Sequence, residues 1–173
     1  MFAGSISIAN KNIRRLPVQP PVYSCLILIP HVYLKVMGGV IKTIRVLILE
    51  DDIETLSKLL QCLYLLQKRY EHIDVALTVL AEHTQVEAYL NKAEKNIFDI
   101  ILLDRDCKAG GSFHVLDFNK YPVERIIGIS SVPPYNEQLQ QLGVKRIVHK
   151  DYKELDVFIH EVEEHLIELL EKV

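Results

Sequence analysis

The chain has 173 residues, 49% hydrophobic and 25% charged, which suits one soluble globular domain of ordinary size plus an appendage. Residues 1–43 hold five Lys or Arg and no acid, so residues 44–173 set 15 basic residues against 23 acidic ones, a balance of −8. An acidic body argues against nonspecific nucleic-acid binding, which depends on neutralising phosphates. Three scattered cysteines, Cys25, Cys62 and Cys107, argue against a disulfide framework or a zinc site and for reduced thiols in a cytoplasmic protein.

Residues 1–43 read as an N-terminal extension, either disordered or untranslated. Four of the seven prolines lie there, with an apolar patch from Val22 to Val36 that Pro30, His31 and Lys35 interrupt. A membrane span wants roughly 20 mostly apolar residues, and this patch is short and broken. Arg14 and Arg15 precede it as in a signal peptide, but no good small-x-small cleavage site follows. Met37, just before Gly38-Gly39, would serve as an internal start.

From residue 44 the chain alternates strands and helices. Val46 to Leu49 is a first strand ending in Glu50-Asp51-Asp52. Ile53, Leu56, Leu59, Leu60, Leu63 and Leu66 then recur at three- and four-residue steps, the mark of an amphipathic helix. Ile73 to Leu80 reads as a second strand and Val86, Tyr89, Leu90 and Ala93 as a second helical stripe. The run ending at Leu103 is continuously apolar from Ile100, as in an interior parallel strand covered on both faces, and is followed by Asp104-Arg105-Asp106. Gly110-Gly111 punctuate the chain, and Phe113 to Asn119 has room for a short third helix before Pro122. A fourth strand ends at Ile129 in Ser130-Ser131, and a short helix over Asn136 to Leu142 stops at Gly143, a C-cap position. The fifth strand, Arg146 to His149, ends in Lys150, and Leu155, Ile159, Val162, Leu166 and Leu169 mark a long final helix. That stripe could dimerise, but packing on a sheet uses the same residues.

Strict alternation demands a parallel sheet with right-handed crossovers. Five strands and five helices fit a flavodoxin-like doubly wound sheet of order 2-1-3-4-5. In that order strands 1, 3 and 4 lie side by side with strand 5 flanking, and those four carry the polar endings. Their carboxyl ends form the rim where ligands bind in open α/β sheets. Carboxylates, a hydroxyl and an ammonium converging there suit a divalent cation and a phosphoryl group. A hard cation such as Mg²⁺ takes carboxylate, water and phosphate oxygens, and a carboxylate can act as a nucleophile toward phosphorus.

Residues 44–173 resemble the receiver domain of bacterial response regulators, the CheY-like superfamily. The resemblance implies that Asp104 accepts the phosphoryl group. It also implies that Glu50, Asp51 and Asp104 hold Mg²⁺ together with the backbone carbonyl of Asp106. Ser130 is similar to the hydroxyl residue that bonds the phosphoryl group, and Lys150 to the family's Lys. A receiver with no output domain after it implies phosphorelay signalling by protein–protein binding. The partners would be a histidine kinase or histidine phosphotransfer protein and an unknown output protein, with no nucleic acid and no membrane. Enzymatic activity would be limited to self-phosphorylation and slow loss of the phosphoryl group.

The sequence departs from the family at Ile147, where an aromatic switch residue is expected, at Asp151, where Pro often follows the Lys, and at Lys108, where Pro is common. Two other functions fit some of the same residues. A phosphorylation-independent pseudo-receiver would keep the fold as a binding module. A haloacid-dehalogenase-type phosphohydrolase would use Asp104-Arg105-Asp106, Ser130 and Lys150, but its later acidic motif is missing.

Overall fold

The computed structural model describes residues 41–172, so the expected extension over 1–43 lies, apart from its last three residues, outside the described residues. Five strands, β1 (Lys42–Leu49), β2 (Ile73–Leu80), β3 (Ile100–Leu103), β4 (Ile126–Ser130) and β5 (Arg146–His149), pair in parallel in the order β2-β1-β3-β4-β5. This is the order expected from the alternation of apolar runs. β1 and β3 are in register with Leu49 opposite Leu103, so Glu50 and Asp104 leave the sheet side by side.

Alternate residues of each strand serve opposite faces. Ile44, Val46, Ile48, Ile100, Leu102 and Ile127 pack under α1 (Ile53–Arg69) and α4 (Leu155–Leu170). Leu47, Leu49, Ile101, Leu103 and Ile126 pack on the other face. Fully burying each such side chain contributes about 1.5–3 kcal/mol. In α1 the buried stripe runs through Leu59, Cys62, Leu63 and Leu66, which leaves Ile53 and Leu60 of the expected stripe facing solvent. The α4 stripe, Leu155, Phe158, Val162, Leu166 and Leu169, is buried within the protein's own core.

The second face is covered differently from expectation. A short turn, α2 (His83–Gln85), runs into a π-helical turn at Val86–Leu90 whose Val86 and Leu90 are buried. The expected third helix is absent, and Phe113–Val115 forms a single 3₁₀ turn. Side-chain bonds to the backbone hold this segment instead. Asn91 donates to the Val115 carbonyl at 2.7 Å and accepts from the Asp117 amide at 3.0 Å, and the buried Tyr121 hydroxyl donates to the Leu90 carbonyl at 2.8 Å. Phe113, Leu116 and Tyr121 thereby fill the core without helical spacing.

The helix α3 (Pro133–Gln141) starts on two prolines, which suit a first turn where amides lack partners anyway. It ends before Gly143 (φ +99°), whose amide donates to the Gln140 carbonyl at 2.9 Å, the expected C-cap glycine. α3 sits close on the sheet because Gly128 has no side chain. A Cβ there would lie 2.6 Å from Leu139 and 2.8 Å from Ile147. At the outer edge, the Val75 amide of β2 donates to Oε1 of Gln67 on α1 at 3.1 Å.

Candidate functional site

Four of the five side chains that the sequence points to are buried at one rim of the sheet: Glu50, Asp104, Ser130 and Lys150. Asp51 is half-buried beside them. Each follows or ends a strand, so the sheet fixes where its backbone emerges. Carboxylate oxygens of Glu50, Asp51 and Asp104 come within 4.8 Å of one another. The Lys150 ammonium lies between two of these acids, donating to Oε2 of Glu50 at 2.9 Å and to Oδ2 of Asp104 at 2.7 Å.

The remaining oxygens are held from the backbone. Oε1 of Glu50 accepts from the Asp52 amide at 2.9 Å, and Oδ1 of Asp104 accepts from the Arg105 amide at 2.7 Å. Asp51 accepts from the Lys108 amide. Asp52 caps α1, accepting from both the amide and the hydroxyl of Thr55 at 2.8 Å, and binds the Lys108 ammonium at 2.7 Å. Ser130 accepts from the Val132 amide at 3.2 Å through its hydroxyl, while its carbonyl accepts from the Lys150 amide at 3.0 Å. Asp106 lies two residues past Asp104, with its carboxylate turned to the Arg105 guanidinium at 2.7 Å.

Electrostatics follow from three acids and one cation in a water-poor place. Burial pushes the Glu50 carboxyl up to about 7, the Asp104 charge adds to the rise, and Lys150 works against it. Burial also raises Asp104, against the opposing pull of Lys150. Burial works to lower the Lys150 ammonium, but Asp104 and Glu50 outweigh it and hold the group protonated. Desolvation would raise Asp52, but its bonds to Lys108 and Thr55 prevail and bring it down to about 2. Three carboxylates against one ammonium leave two formal negative charges unmatched, and the donor set is all oxygen. Both properties fit a hard divalent cation.

Three features at this rim were not legible in the sequence: Asp52 as both cap and ion-pair partner, Lys108 reaching across to it, and Arg105 stacked on Tyr135. The Arg105 guanidinium lies 3.6 Å from the centroid of the Tyr135 ring, in the first turn of α3. Asp52 directly before Ile53, the first residue of the helical stripe, is a capping signal that could have marked the first. Lys108 and Tyr135 are brought in by the tertiary fold alone. A cleft of about 560 Å³ lies at the opposite end of the strands among Asp99, Arg125, Lys145, Arg146 and Glu168. Its ion pairs, Arg125–Asp99 and Arg146–Glu168, satisfy one another.

No protein-family model matches the chain, and no curated protein matches it in sequence. Solved structures do match in fold, and they define the class: this is the fold of response-regulator receiver domains, as the sequence led us to expect. The chain is similar to response regulator Rcp1 in its Mn²⁺-bound form, at 16% identity and a TM-score of 0.53, over 69% of this chain and 91% of that one. The bacteriophytochrome response regulator AtBRR also matches, at 17% identity and a TM-score of 0.45, over 69% and 92% of the two chains. Among the described residues no helix is long and apolar enough to cross a membrane.

Proposed function

We propose that the protein is a response regulator that accepts a phosphoryl group on Asp104 and signals by binding another protein. The observation that carries this reading is the placement of Lys150 between Asp104 and Glu50, with Asp51 completing an oxygen cluster at the carboxyl ends of β1 and β3. Glu50, Asp51 and Asp104 would hold Mg²⁺, with the Asp106 carbonyl in support, and the bound metal would supply charge neutralisation at the phosphoryl oxygens. A fold shared with a Mn²⁺-bound response regulator supports the same reading.

The residues divide the work. Burial makes the Asp104 carboxylate more basic than a solvated one, and so a better nucleophile toward phosphorus. An Asp104 oxygen forms the new P–O bond while the P–N bond of a phosphohistidine donor breaks. The imidazole nitrogen keeps that electron pair and takes a proton from solvent. Lys150, protonated throughout, sets a fixed positive charge beside the transferring group. Ser130 turns its hydroxyl hydrogen to a phosphoryl oxygen while still accepting from the Val132 amide. Hydrolysis reverses the connection, with water forming a P–O bond and the Asp104 carboxylate leaving. The donor class is a histidine kinase or histidine phosphotransfer protein, and the setting is cytoplasmic.

Incubation with acetyl phosphate and Mg²⁺ followed by intact-mass measurement tests the reading. One phosphoryl group is expected on the wild type and none on Asp104→Asn. Equal labelling of the two would remove Asp104 from the chemistry. A phosphorylation-independent binding module is the second reading, favoured by the non-aromatic Ile147 packed over Gly128. An unlabelled wild type would select it.

A further inference from the structure

We propose that the Arg105–Tyr135 stack is the device by which a phosphoryl group on Asp104 is read out at the first turn of α3, an inference that rests on Asp104 being the phosphoacceptor. Arg105 is tied to the acceptor twice, as its neighbour in the chain and through its amide on Oδ1 of Asp104 at 2.7 Å. Its guanidinium lies over the Tyr135 ring, 3.6 Å from the centroid, and is braced by Asp106. The Nε of Arg105 is sealed from solvent with no acceptor. The cation is therefore parked against an aromatic face with hydrogen-bonding capacity unspent.

A phosphoryl group changes that balance. It brings about −1.5 to −2 charge and three strong acceptor oxygens to the residue next to Arg105. Guanidinium groups pair with such oxygens through two parallel bonds, an interaction stronger than a cation–π contact at a partly exposed site. His114, the other titratable group facing Arg105, stays neutral because burial, reinforced by the Arg105 charge, lowers it to about 4. It offers Arg105 no competing charge.

Release of Tyr135 bears on α3 because Tyr135 sits in its first turn. The next residue, Asn136, donates from Nδ2 to the Ser130 carbonyl at 3.2 Å, while its buried Oδ1 has no donor. Further along, Leu139 is locked over Gly128. Loosening is thus confined to the turn holding Pro133, Pro134 and Tyr135, directly above Ser130.

Hydrogen–deuterium exchange of residues 132–141, measured with Mg²⁺ and with or without acetyl phosphate, tests this. Phosphorylated wild type should exchange about fivefold faster at the Val132, Tyr135 and Asn136 amides, the order expected from losing one cation–π stack, with the amides from Glu137 to Gln141 unchanged. Tyr135→Leu should exchange fast already in the unphosphorylated protein and change no further, with phosphoryl uptake by mass unaltered. Tyr135→Phe, which keeps the aromatic face, should behave as the wild type. A Tyr135→Leu variant that responds like the wild type overturns the inference. A labelled wild type whose α3 exchange does not change overturns it alone, whereas an unlabelled wild type overturns the phosphoacceptor reading as well.

Discussion

Replacing Lys150 by Met removes the ammonium between two buried acids while nearly keeping the volume of the side chain. In the wild type the Lys150 side chain is 1% exposed, and its partners Glu50 and Asp104 are 0% and 8% exposed. Two hydrogen bonds to charged groups, each about 1.5–3 kcal/mol, are lost together. Breaking a buried ion pair from one side costs about 3–5 kcal/mol, because the other charge stays behind. Here the loss depends on pH. Burial raises Glu50 to about 7 even with Lys150 beside it, so at pH 5 it carries a proton and can donate to Asp104, whereas at pH 8 losing that proton leaves two carboxylates facing each other and keeping it costs free energy. Urea unfolding followed by circular dichroism suits a chain without tryptophan. In metal-free buffer the variant should lose about 3–5 kcal/mol at pH 8 and clearly less at pH 5. Added Mg²⁺ should restore part of the loss at pH 8. A loss below about 1 kcal/mol at pH 8, the range of an exposed ion pair, would refute the argument from burial, and so would equal losses at both pH values.

The metal-free wild type should itself lose stability as pH rises. Glu50 moves from an ordinary 4.5 to about 7, so between those values the folded state binds more protons than the unfolded one, and unfolding free energy falls with rising pH by up to about 3 kcal/mol. Glu50→Gln should flatten that slope in urea titrations from pH 5 to 8; an unchanged slope would assign it elsewhere. Asp52 has the opposite sign and a lower window, its contribution being lost as pH falls through 3.8 toward 2. At the loop crown, Gly110 and Gly111 both have φ near +85°, but a Cβ on Gly111 would lie 2.3 Å from Nδ1 of His83 while one on Gly110 meets nothing within 4 Å. Gly110→Ala should therefore cost only the left-handed backbone term of about 1–2 kcal/mol, and Gly111→Ala a further 1–3 kcal/mol or so for overpacking. Thermal unfolding of the two variants would expose an error if their losses were equal.

Strand order was readable because each apolar run is bounded by chemically distinct ends, and a parallel alternating chain has few ways to arrange them. The gathering of Glu50, Asp51, Asp104, Ser130 and Lys150 at one rim was readable for the same reason, since each follows or ends a buried run. The connection after β3 was misread because Gly110-Gly111 and Pro122 leave room for a short helix over Phe113 to Asn119. Asn91 and the Tyr121 hydroxyl, from distant points of the chain, satisfy the backbone instead. Local periodicity carries no information about such partners. Ile53 and Leu60 extend a helical stripe beyond the width of the sheet it covers, which a sequence cannot measure. Arg105 on Tyr135 and Lys108 on Asp52 depend on loop paths that only the packed fold determines.

The Gln67 side chain on the Val75 amide bears on how this protein behaves in concentrated solution. β2 is an eight-residue edge whose one charged side chain is Asp74, a stretch with the makings of a template for a second chain to zip onto. Zipping needs an uninterrupted row of free donors and acceptors. Gln67, reaching over from α1, occupies one donor near the strand's start and sets an amide side chain in the incoming strand's path. One uncharged residue on a neighbouring helix thus breaks the row of donors that a second chain would need.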